Sequence, residues 1–205
     1  TVGVVRLVTG MAETSDGKHL PYKLVWKTQK KFERYGDPDS WRREYDLYSS
    51  DFKTVFFDSF RWPECYHAEI NGDEIQLWME YIDGVSGVHL TPEMYERIAE
   101  ELGRFQGKLY TERPNVSQTL PNLSKVEFMK NYYQRYRSWD VLYDYIRSDD
   151  CEIPKHLCKM LIDLDNNAKE VLSRIEKLPI VLCHRDFWVA NIFYSDSRIV
   201  LIDWD

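Results

Sequence analysis

A two-lobed α+β chain, an antiparallel sheet carrying one helix and then a mainly helical half, is the fold the sequence predicts. Three observations predict it. β-Branched and alternating runs fill the chain up to residue 82, helix-period apolar stripes run from residue 91 to 177, and residues 181–205 return to short strand-like runs around one polar loop. The change of character at residues 80–88, where glycine and serine enter, divides the chain into a first lobe, 1–82, and a second, 83–205.

The first lobe opens with an apolar run at residues 2–8, a turn at Thr14-Ser-Asp-Gly17, and an alternating run at 20–28. Tyr22, Leu24 and Trp26 share one face, and Lys23, Val25 and Lys27 the other. A helix is expected from Asp37 as N-cap and Pro38 as first helical residue. Trp41, Glu44, Tyr45 and Tyr48 then fall on its inward stripe, while Arg42 and Arg43 lean outward. A carboxylate on a packed face needs a partner, and Lys27 stands one loop away. On the residues alone Lys27 also reads as a snorkelling surface lysine, and Glu44 as pairing along its own helix. Strands follow at 55–57, 65–70 and 75–79, the last two joined by an Asn71-Gly72 turn.

In the second lobe, Thr91-Pro92-Glu93 opens a helix whose stripe is Met94, Ile98, Leu102, Phe105 and Leu109, with Gly103 and Gly107 permitting close approach of another backbone. A loop at 111–122 precedes helices at about 123–147 and 154–177. The first of these carries Tyr132, Tyr133, Tyr136, Trp139, Tyr143 and Tyr145, more aromatics than one stripe holds. Pro179 ends the helices, and a strand at 180–183 enters the loop His184-Arg-Asp186. Asn191 lies five residues after Asp186, and a hairpin returns the chain to Asp203. With a turn centred near Ser197, Asn191 faces Asp203 across the hairpin, two oxygen ligands about 5 Å apart and suited to Mg²⁺.

Composition narrows the function. At 43% hydrophobic the 205 residues can bury a sizeable core, and a formal charge of -7 argues against a dedicated nucleic-acid binder while suiting a cationic substrate. Cys65, Cys151, Cys158 and Cys183 have neither zinc-site nor disulfide-framework spacing, which fits a reducing cytoplasm. No membrane span or signal peptide is expected. Thr1 is not a start methionine and the chain stops two residues after Asp203, so a fragment of a longer protein is expected.

The ordered set of a strand ending in Val25-Trp-Lys27, a helix with Glu44, the stretch Met79-Glu-Tyr-Ile82, His184-Arg-Asp-x-x-x-x-Asn191 and Ile202-Asp-Trp-Asp205 resembles the kinase-like superfamily. More narrowly it is similar to the aminoglycoside phosphotransferase and choline kinase group, because Trp204-Asp205 follows Asp203 where protein kinases carry Phe-Gly. The resemblance implies a bilobal protein-kinase-like fold and transfer of the γ-phosphate of ATP or GTP to a small-molecule hydroxyl, in an aminoglycoside-type antibiotic above all and hence linked to antibiotic resistance. Choline, homoserine or sugar kinases, a non-catalytic nucleotide-binding pseudokinase and a protein kinase are its alternatives. It implies Asp186 as the group that orients the acceptor and takes its proton, Asn191 and Asp203 as ligands of Mg²⁺, Lys27 on the nucleotide phosphates with Glu44 holding it, and the backbone of Glu80, Tyr81 and Ile82 at the base. His184 would brace the loop. Gly3 and Gly10 do not make a glycine-rich phosphate loop, Phe187-Trp-Val189 replaces smaller or polar residues, and the helices that complete the acceptor pocket in this group are missing after Asp205.

Overall fold

The computed structural model describes residues 3–34, 37–51, 54, 59–114, 139–179 and 181–204. Two compact units form, one from Thr1–Ser124 with Ile180–Asp205, the other from Lys125–Pro179.

The first unit holds two four-stranded sheets. In the first sheet, β1 (Gly3–Glu13), β2 (His19–Lys30), β5 (Glu74–Glu80) and β4 (Cys65–Asn71) run antiparallel in that spatial order. The expected turn joins β1 to β2: the Gly17 amide donates to the Thr14 carbonyl at 2.8 Å, with Gly17 at φ +78°. Gly10 pairs with Tyr22, whose ring occupies the place of a Cβ: the phenol oxygen would lie 2.6 Å from one. The β4–β5 hairpin exists, but Asn71 pairs with Glu74, so its two-residue loop is Gly72-Asp73, one position later than expected. Gly72 at φ +62° takes the left-handed position that a hairpin turn requires.

β5 alternates, burying Ile75, Leu77 and Met79. These join Trp41 in a core against which Val25, Tyr45 and Tyr48 pack, while Trp26 stacks on Trp78 at 5.5 Å. The inward stripe of Trp41, Glu44, Tyr45 and Tyr48 is therefore as expected, but the helix is shorter. A 3₁₀ turn at Ser40–Arg42 leads into α1 (Arg43–Tyr48), and Asp37 accepts from the Asp39 amide at 3.1 Å, capping a turn instead of an α-helix. Asp-Pro suits either geometry, and nothing local separates them. Arg42 does lean outward, to Asp46 at 3.3 Å. Arg43, expected outward, is 1% exposed.

The second sheet has the order β3 (Phe60–Arg61), β8 (Arg198–Leu201), β7 (Ile192–Ser195), β6 (Val85–Ser86), with β3 and β8 parallel. β6 lies on β7 tightly, since a Cβ on Gly84 would stand 2.7 Å from the Tyr194 carbonyl. α2 (Pro92–Glu112) covers this region, capped by the Thr91 hydroxyl accepting from the Met94 amide at 3.4 Å. Its stripe is as expected: Ile98, Phe105 and Leu109 are buried with Phe60, Leu182 and Trp204, and Met94 and Leu102 pack beside them. The helix runs into the expected loop at 111–112. A Cβ on Gly103 or Gly107 would meet nothing within 4 Å among the described residues. Of the strand expected at 180–183, residues 181–183 pair with no other strand.

In the second unit α3 (Trp139–Arg147), α4 (Lys155–Asn166) and α5 (Ala168–Ile175) are helical, and the Tyr143 hydroxyl donates to Asp165 at 2.6 Å. The single helix expected at 154–177 breaks at Asn167, whose side-chain amide donates to the Asp163 carbonyl at 2.7 Å and so competes with the helix ladder. The strand expected at 55–57 and Tyr132, Tyr133 and Tyr136 lie outside the described residues. Among the described residues no helix is long and apolar enough to cross a membrane.

Candidate active site

β2 brings Lys27 to the inner face of the first sheet, α1 brings Glu44, and the end of β8 brings Asp203. The Lys27 ammonium lies 2.5 Å from Glu44 Oε2 and 2.5 Å from Asp203 Oδ1. Burial of Lys27 opposes its charge, but the two carboxylates outweigh that cost and raise its pKa above the ordinary lysine value. The Lys27–Glu44 partnership is thus present, and the snorkelling alternative falls.

The β7–β8 hairpin turns at Asp196-Ser197, both at positive φ (48° and 63°), the two-residue type I′ geometry. Ile192 therefore pairs with Leu201, and the Ile202 amide donates to the Asn191 carbonyl at 3.0 Å. The expected register was one residue off: Asn191 faces Ile202, not Asp203. A one-residue slip exchanges the faces of a strand. Asp203 at φ 60° leaves the strand direction, and its carboxylate reaches Lys27.

The loop between residues 184 and 191 is held from several sides. The buried His184 donates from Nε2 to the Ile202 carbonyl at 2.9 Å and lies 4.7 Å from the Trp204 ring. Burial, aided by the nearby Arg43 cation, lowers its pKa below the ordinary histidine value, so the imidazole is a neutral brace. Arg185 sits at φ 68°, a strained conformation for a side-chain-bearing residue. The Trp188 amide donates to the Asp186 carbonyl at 2.7 Å and the Asn191 amide to the Trp188 carbonyl at 2.8 Å. Asn191 Nδ2 donates to both the carbonyl (3.1 Å) and Oδ2 (3.0 Å) of the exposed Asp186.

A cleft of about 360 Å³ gathers these parts. Lys27, Glu44, Asn191 and Asp203 form its polar side, and Val25, Met79, Ile82, Phe193 and Ile202 its apolar side, with Glu80 and Tyr81 also on the lining. Asp186 is not part of that lining but is bonded to Asn191, which is. Glu80 carries more than its place in the chain suggested: both its carboxylate oxygens accept from Arg61, at 2.6 and 2.9 Å, and its amide donates to the Glu64 carbonyl at 2.8 Å. Two residues that sequence reasoning left out also touch the site, Arg61 through Glu80 and Arg43, whose guanidinium donates to the Cys183 carbonyl. Neither has a sequence signal, because their partners are far away in the chain. Among the described residues no group of three or more His, Cys, Asp or Glu is placed to hold a metal ion.

A cleft with one buried cation between two carboxylates, beside an Asp–Asn loop on an α+β fold, agrees with a phosphotransferase. The chain belongs to the phosphotransferase enzyme family APH, whose family model matches residues 58–205. Among solved structures it is similar to the crystal structure of a thermostable mutant of aminoglycoside phosphotransferase APH(4)-Ia in its apo form, with 14% identity and a TM-score of 0.49 over 97% of this chain and 67% of that one. No curated protein matches the chain.

Proposed function

We propose that the protein transfers the γ-phosphoryl group of ATP or GTP to a hydroxyl of a small molecule of the aminoglycoside type. The observation that carries this reading is the convergence of Lys27, Glu44, Asn191 and Asp203 on one cleft whose other side is apolar. The apolar side suits a planar base near Tyr81 and Ile82, and the Lys27 ammonium suits the phosphates. Glu44 keeps that ammonium in place.

Asn191 and Asp203 fit Mg²⁺. With Nδ2 of Asn191 bonded to Asp186 and Oδ1 of Asp203 to Lys27, Asn191 Oδ1 and Asp203 Oδ2 remain as hard oxygen donors on the same cleft. When bound, the ion would neutralise charge on the nucleotide phosphates. Asp186, exposed and oriented by Asn191, takes the acceptor's hydroxyl proton. The acceptor oxygen's electron pair forms the new bond to the γ-phosphorus as the bond to the β-phosphate oxygen breaks, and ADP or GDP leaves with the electron pair of that broken bond. The free thiols of Cys65, Cys151, Cys158 and Cys183 accord with a cytoplasmic setting.

Nucleotide turnover by the full-length protein with a panel of aminoglycosides, choline, homoserine, sugars and small alcohols tests the reading. Phosphorylated aminoglycoside supports it, and product from choline alone would move the acceptor assignment to a metabolite. Mg²⁺-dependent nucleotide binding with no product from any acceptor would replace it with a pseudokinase.

A further inference from the structure

Arg43 and Glu44 are consecutive residues at the start of α1, and both are buried. Glu44 holds Lys27, on the nucleotide half of the proposed site. Arg43 points its guanidinium to the carbonyl of Cys183, the residue immediately before the His184-Arg-Asp186 loop. A buried guanidinium persists only where acceptors satisfy it, and this one takes a carbonyl that an ordinary strand would pair in a ladder. Residues 181–183 have no ladder. One turn of helix therefore ties together the lysine that meets phosphate and the loop that carries Asp186.

We infer that Arg43 is a positioning residue: it sets the loop bearing Asp186 relative to the Lys27–Glu44 pair, so that acceptor and phosphate are presented in register. The inference rests on the proposed phosphotransferase reading. Its mechanism is geometric, since a misplacement of about 1 Å at the reacting groups can lower a rate about 100-fold while leaving substrate binding nearly intact.

Two variants and two readouts test it. Arg43→Lys keeps the charge but not the planar fork, and Arg43→Met keeps the bulk without the donor. In Arg43→Lys, kcat is expected to fall about 10- to 100-fold while the affinity for MgATP or MgGTP changes less than about 3-fold, because Glu44 still holds Lys27. Amide hydrogen exchange at Trp188 and Asn191, whose amides donate within the loop, is expected to quicken, with β7 and β8 unchanged. If Arg43→Met does not fold, Arg43→Lys decides. A folded variant with unaltered kcat and unaltered exchange at Trp188 and Asn191 overturns the inference, whatever its effect on melting temperature. Absence of turnover in the unaltered protein would instead remove the phosphotransferase reading, and the exchange measurement would still decide whether Arg43 holds the loop.

Discussion

The two halves of the site are built by opposite means. Lys27 and Glu44 form a buried ion pair, with 14% and 5% of their side chains exposed, in which each charge is tied to the other. Asp186 is exposed and held only through Asn191 and the backbone of its own loop. A buried pair is costly to break and poor at exchanging partners, whereas an exposed carboxylate is cheap to keep and open to a substrate. The first half is thus suited to a fixed charge and the second to a group that must receive a proton. Asp203 joins them, contacting Lys27 while lying at the end of the hairpin that carries Asn191.

Substitutions in each half should separate activity from stability. Asp186→Asn is expected to lower turnover by about 10²- to 10⁴-fold, the usual contribution of a general base, with little change in melting temperature. Undiminished turnover in that variant would sink the role of Asp186. Lys27→Met should do the reverse in part, destabilising the fold by about 3 kcal/mol because Glu44 is left buried without its cation. Chemical denaturation of the two proteins measures this. Since the folded pKa of Lys27 is raised, its contribution is fully present below the unfolded lysine value and is lost only as pH rises through the folded one. Lys27 should therefore add no pH dependence to the stability of the unaltered protein from about pH 6 to 9.

His184, behind the exposed half, titrates with the opposite sign. Its folded pKa is lowered, so the unfolded chain binds a proton first, and stability falls as pH drops below about 6.5, by no more than about 1.4 kcal/mol per pH unit. Denaturation midpoints of His184→Gln across that range should show a shallower acid dependence, and equal slopes would remove histidine from the account. The smallest effect concerns the hairpin that carries Asn191. Ser197→Gly, at φ 63°, should stabilise by about 0.5 kcal/mol, the relief of left-handed strain less the added freedom of the unfolded chain. A lower melting temperature would contradict the I′ turn.

Much of this was legible in the sequence because it is local. Periodicity with turn and cap residues placed the β1–β2 pair, the β4–β5 hairpin, the buried stripe of α2 and the inward face that holds Glu44. The spacing of His184, Asp186, Asn191 and Asp203 named a loop and a hairpin, of which Asn191 and Asp203 line one cleft with Lys27. Backbone preferences and side-chain period are properties of a few neighbouring residues, and those the sequence states outright.

Tertiary structure decided what depends on distant partners. The hairpin register differs by one residue because it is set by a turn whose two residues both lie at positive φ, which Ser195-Asp-Ser197 does not announce. Arg43 is buried although its helical position next to Arg42 reads as surface, and its guanidinium reaches a carbonyl 140 residues along the chain. The same bond accompanies the missing strand at 181–183. Which face a helix presents is written in its period, but whether a charge on its edge is buried depends on the acceptor that the rest of the chain brings to it.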